Sequence, residues 1–134
     1  MTPVFPVVAA IVTALTGLLA AALVVQVIRA RVRLGVNAGD GGHAALAQAI
    51  RAHANLAEQA PLLLLLLALA EASGVWRNAI VGLGAVFMVA RLASAWGLSH
   101  SLGASSPRQA GAGLTVLVTV VTAALVVWRA APLL

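Results

Sequence analysis

Four long apolar stretches, over about residues 4–28, 44–73, 76–100 and 107–128, constrain this chain more than anything else in it. A helix rises 1.5 Å per residue, so about 20 residues cross the ~30 Å of a bilayer's hydrocarbon. Each stretch is long enough. Only 8% of the 134 residues are charged, where a soluble domain carries roughly a quarter. Mean hydropathy is +1.08. The expectation is an all-α membrane protein, one transmembrane domain over 1–134. Its connections are short, so neighbouring helices should run antiparallel, giving a four-helix, up-down-up-down bundle.

Local signals set the boundaries. Pro3 and Pro6 mark the start of the first span, and Arg29, Arg31 and Arg33 follow its apolar body. No basic region precedes this span and it is too long for a signal core, so it is expected to be retained. The segment from Gly35 to Gly42 reads as a loop. The second span is amphipathic at first and almost purely apolar from Pro61 to Ala70. Pro61 removes a backbone hydrogen bond and invites a kink there. Ser73-Gly74 ends that span, and Pro107 suits the first turn of the fourth.

All eight Lys-or-Arg positions are arginine, and the formal charge is +5. That balance does not point to nucleic acid, because the arginines sit at the ends of apolar spans and make no solvated basic face. There is no cysteine, which excludes disulfides, thiolate metal sites and a cysteine nucleophile; no metal is expected. Arg29, Arg31, Arg33, Arg51 and Arg108 lie on one side, Arg77 and Arg129 on the other. The positive-inside rule then places loops 1 and 3 in the cytoplasm and both termini outside. Trp76 and Trp128 would sit at the outer interface.

Small residues recur in helical register. Ala9, Thr13, Gly17 and Ala21 repeat every four positions, and Gly82, Gly84, Gly111 and Gly113 mark spans 3 and 4. Such positions let helix backbones approach closely. The chain has no internal repeat and is too small to enclose a pathway alone, so an oligomer is the expected working unit.

The polar residues inside the spans are the candidates for chemistry, since ionisable groups there are costly and usually face a bundle interior or a wet cavity. At about 100° per residue, Arg51, Asn55 and Glu58 fall in one stripe. Arginine offers a fork for a carboxylate, and glutamate accepts from an ammonium. A ligand with both charges, such as a short peptide or amino acid, suits the stripe; a self-satisfying Arg–Glu pair is the alternative. His53 is offset from the stripe and near the interface. Arg91 lies inside span 3 and needs a partner, either Glu58 or a ligand carboxylate, with Ser94 on the same face. Glu71, near the outer end of span 2, reads as solvated or interfacial. Arg29, Arg31 and Arg33 read as topology signals against anionic lipid head groups, or one of them reaches a ligand in a neighbouring subunit. Arg108, in the first turn of span 4, makes a positive spot with the helix N-terminus. Such a spot would stabilise a thiolate; the alternative is one more topology arginine.

The run Arg51-Ala52-His53-Ala54-Asn55-Leu56-Ala57-Glu58 fits, without a gap, the R-A-x-x-N-x-x-E motif of the membrane-associated proteins in eicosanoid and glutathione metabolism (MAPEG). The chain resembles that family along essentially its whole length. Gln26–Arg31 is similar to the end of the family's first helix, Arg91 to the arginine of the third, and Arg108 to the arginine that opens the fourth. Loop 1 looks most like the small bacterial branch, which implies a bacterial inner membrane. The resemblance implies a homotrimer that binds glutathione as co-substrate between subunits and activates its thiol toward lipophilic electrophiles arriving from membrane lipid. By that resemblance Arg51, Asn55 and Glu58, with Arg91, His53 and Ser94, would hold the peptide. Arg31 would come from the neighbouring chain, and Arg108 would face the sulfur. Many members also use tyrosines, and this chain has none. Ser94 and Leu98 stand near two of those positions and Gln59 at another. The competing reading is a non-catalytic protein of the same fold that uses the stripe for trimer packing or for lipid or anion binding.

Overall fold

The computed structural model describes residues 5–100 and 106–133; the side chains of 99, 100, 107, 108 and 133 fall outside the description. Four helices follow one another: α1 (Val7–Leu34), α2 (Ala44–Ala72), α3 (Arg77–His100) and α4 (Ser106–Ala130), with a short 3₁₀ turn at Ala131–Leu133. All four are long and apolar enough to cross a membrane, and there is no strand among the described residues. α1 runs past its expected end and carries Arg29, Arg31 and Arg33 as helical residues. It stops at Gly35, whose φ of 66° is left-handed and whose N–H returns to the Arg31 carbonyl, a glycine-closed C-terminus. α2 continues through Pro61.

The helices α2 and α3 form the central pair. α1 packs on both, α4 packs on both, and α1 and α4 do not touch among the described residues. Of the leucines at 62–67, Leu63 and Leu67, one turn apart, are fully buried, while Leu62 and Leu65 face outward. Helical period decides this split. The core gathers Val12 and Leu23 from α1, Ile80 and Phe87 from α3, and Val118 from α4 around those leucines.

Lipid tails are as apolar as leucine, so close packing and polar contacts must hold such helices together. Two of the glycines serve that packing. A Cβ on Gly111 would stand 2.2 Å from Ser94 Oγ and 2.5 Å from the Ala90 carbonyl, and one on Gly84 would stand 2.7 Å from Val12 Cγ2. Gly17, Gly82 and Gly113 have nothing within 4 Å of that position, so within one chain the expected close approach is confined to Gly84 and Gly111. Of the span 1 register, Ala9 is buried, while Thr13, Gly17 and Ala21 face outward.

Of the two readings of Glu71, solvated or interfacial, the structure sets aside the first. Its carboxylate is not left to solvent: it accepts hydrogen bonds from the backbone N–H of Val8 (3.0 Å) and Ala9 (2.8 Å). α1 has no acidic residue in its first turn and no side-chain cap of its own. Glu71 therefore caps α1 from α2, satisfying two of the donors that a helix start leaves open and placing a negative charge at the positive end of the dipole. At this same end Arg129 Nε donates to the Ser73 carbonyl (2.9 Å), and the Trp76 and Trp128 rings lie 6.3 Å apart.

Candidate functional site

The polar stripe of α2 and the arginine of α3 meet in the half of the bundle toward loop 1, and they divide into two sets. The inner set centres on Arg91, which is 1% exposed. Its Nη1 donates to Asn55 Oδ1 on α2 (3.1 Å). Its Nη2 donates to the Gly111 carbonyl (2.9 Å), to Thr115 Oγ1 and, more loosely, to Ser94 Oγ (3.4 Å). The guanidinium carbon lies 5.9 Å from the Phe87 ring centroid, within cation–π range. Arg91 Nε is buried without a hydrogen-bond partner. Arg91 thus ties α3 to α2 and α4 through neutral acceptors.

This answers the pairing question left open by the sequence: Arg91 does not meet Glu58. Glu58 is instead the partner of Arg51, at 3.7 Å, with the two side chains 58% and 49% exposed. The physical reason is register. Arg51 and Glu58 are seven residues apart, two helical turns, on the outer side of α2, whereas Asn55 is half-buried and turned toward α3.

Asn55 connects the sets. An asparagine amide has one accepting oxygen and two donating N–H groups. Arg91 takes the oxygen, which leaves the two N–H donors without an acceptor among the described residues. Next to it, Glu58, Gln59, Leu62, Thr115, Thr119 and Val120 line a groove of 280 Å³ between α2 and α4. Gln59 Oε1 is buried without a partner. The Thr115 and Thr119 hydroxyls donate to the carbonyls of Gly111 and Thr115 (2.9 and 2.8 Å). The groove therefore offers mainly oxygen acceptors on an apolar wall.

Ser94 is buried beside Arg91. His53 is half-buried off the stripe. Arg31 Nη1 donates to the carbonyls of Gly39 (2.9 Å) and Val36 (3.4 Å), so it pins loop 1 of its own chain. Arg108 belongs to the first turn of α4, but its side chain lies outside the described residues, and so does the expectation placed on it. Sequence reasoning missed Thr115 and the Gly111 carbonyl. The available signal was Gly111 four residues before Thr115, a helical i, i+4 pair opposite a buried cation. Among the described residues no group of three or more His, Cys, Asp or Glu side chains is placed to hold a metal ion.

Comparison with known proteins agrees with this architecture. Residues 7–128 match the MAPEG family. Two relatives, both called inner membrane protein YecN, come from Escherichia coli strains K12 and O6:H1. Each is 35% identical over 97 residues, which covers 68% of this chain and 72% of the relative. Four apolar helices and a family match that spans all four place this chain in the MAPEG family, as an integral inner membrane protein.

Proposed function

We propose that this protein is a glutathione transferase or peroxidase-like enzyme that works as a homotrimer. Glutathione binds between subunits, and its thiol is activated toward lipophilic electrophiles. One observation carries the reading: Arg51 and Glu58 stand half exposed on a membrane helix, held only by a loose mutual contact, beside an Asn55 amide whose oxygen is already engaged by Arg91. A fork for a carboxylate and an acceptor for an ammonium then stand on the outer side of α2, with the half-buried Asn55 amide between them in sequence, which suits a γ-glutamyl peptide. A neighbouring subunit would cover this face, with its Arg31 beside the peptide, and Arg108 would favour the thiolate. The electrophile would enter from the bilayer along the groove between α2 and α4. By the arginine count this half of the protein, with loops 1 and 3, would face the cytoplasm.

The test is calorimetric titration of glutathione into detergent-solubilised protein, with Arg51→Ala and Glu58→Gln alongside and the oligomer size measured by light scattering. Saturable binding that both variants lose at unchanged oligomer size is the expected result. Absence of binding at millimolar glutathione by folded, trimeric protein would remove the transferase reading.

A second reading has its own support. Arg51 and Glu58 face each other at 3.7 Å, and the chain has no tyrosine. These favour a non-catalytic member whose stripe serves trimer packing or anion binding. On that reading the same two variants change oligomer size, and no thiol-dependent turnover exists to be lost.

A further inference from the structure

Toward the opposite end of the bundle from the polar stripe, α1 and α3 border a cleft of 520 Å³. Its walls are Ile11 and Leu15 of α1 and Val81, Ala85 and Met88 of α3, and Arg77 stands at its mouth. Gly84 lies in the cleft, where α3 comes close to Val12. Ile11, Leu15 and Val81 are exposed, so the cleft opens sideways, toward what would be lipid.

We propose that this cleft holds one acyl chain of an anionic bilayer phospholipid, with the phosphate on Arg77. Length is the first argument. From Arg77 to Met88 α3 rises about 16 Å at 1.5 Å per residue, close to half of the ~30 Å hydrocarbon thickness. The cleft is as deep as one leaflet. Charge is the second. The Arg77 side chain is exposed and makes no hydrogen bond or ion pair with any described residue. The other arginine at this end, Arg129, is engaged by the Ser73 carbonyl. The carboxylate at this end, Glu71, is committed to the N–H groups of Val8 and Ala9. Level is the third. Arg77 follows Trp76, and Trp76 packs against Trp128; exposed tryptophans of this kind sit at head-group depth. A guanidinium at that depth matches a phosphate with two parallel donors. The second acyl chain stays in the bilayer.

The test is native mass spectrometry of protein equilibrated with equal amounts of phosphatidylglycerol and phosphatidylcholine. The wild type should retain phosphatidylglycerol about fivefold over phosphatidylcholine, the effect of one basic side chain near the head groups. Arg77→Gln should bring the ratio to parity, and Ala85→Phe, which fills the cleft, should lower retention of both lipids. Arg29→Gln/Arg33→Gln should leave the ratio unchanged. The proposal is overturned if the wild type shows no preference, if the preference survives Arg77→Gln, or if it is lost in the Arg29/Arg33 variant instead. It is also overturned if Ala85→Phe changes oligomer size at unchanged lipid retention, which would assign the cleft to a second copy of the chain. Should Ala85→Phe fail to fold, Arg77→Gln decides alone, because that side chain is exposed and has no protein partner to lose. Glutathione titration is expected to be unaltered in Arg77→Gln, so this outcome is separate from that of the proposed activity.

Discussion

Arg91 and Arg51 are both arginines within the span of a membrane helix, and they solve the same problem in opposite ways. Arg91 is 1% exposed and spends its two terminal nitrogens on Asn55, Ser94, the Gly111 carbonyl and Thr115. Arg51 is half exposed and has only a 3.7 Å contact with a somewhat more exposed Glu58. A buried guanidinium surrounded by fixed neutral acceptors is a structural tie whose removal strands its partners. A loose, exposed ion pair contributes little to stability and costs little to open for a ligand. The lesson is that position on α2 and α3, rather than residue type, separates the arginine that builds the site from the one available to use it.

That contrast can be broken at its strongest point first. Gly111→Val would drive a side chain into Ser94 Oγ and the Ala90 carbonyl and part α4 from α3. A loss of about 3 kcal/mol is expected, at the upper end for overpacking, read by SDS-induced unfolding of the solubilised protein. An unaffected Gly111→Val protein would mean that α3 and α4 are not held this closely.

Next comes Arg91→Met. It forfeits charge-assisted hydrogen bonds worth ~1.5–3 kcal/mol each, offset in part by relief of a buried charge, for a net loss of about 2 kcal/mol. It should also weaken glutathione binding, because the Asn55 amide loses the contact that orients it. Arg91→Lys, which keeps the charge without the fork, should recover only part of either. Full recovery by lysine would show that charge alone matters at this position.

Glu71→Ala should cost about 1 kcal/mol, the usual scale for a lost helix cap and its dipole contact. Hydrogen exchange should rise at the start of α1, at Val8 and Ala9 in particular. Protection unchanged there would argue against the cap.

The smallest effect on stability belongs to the outer pair. Arg51→Ala and Glu58→Gln should each change stability by less than about 0.5 kcal/mol while abolishing glutathione binding. A large stability loss in either variant would erase the distinction between the two arginines.

Much of this protein is legible in its sequence. Four spans follow from runs of apolar residues long enough for the bilayer, and only their ends moved, as at α1, where the helix carries its three arginines on to Leu34. The stripe of Arg51, Asn55 and Glu58 follows from helical period, while of Gly82, Gly84, Gly111 and Gly113, all candidates in the sequence, packing alone selects Gly84 and Gly111. Length, hydropathy and period are properties of a single segment, and a sequence states them directly.

Which segment meets which is decided elsewhere. Glu71 reaches back 62 and 63 residues to cap α1. Arg91 bonds 36 residues back to Asn55 and 20 and 24 residues ahead to Gly111 and Thr115. The partner of a buried charge is whatever acceptor the packing brings within about 3 Å, and helix rotation and depth set that distance. So the sequence by itself determined that this chain crosses a membrane four times with a polar face on its second helix. Only the tertiary structure decided that Arg91 locks that face from behind while Arg51 and Glu58 remain on its surface.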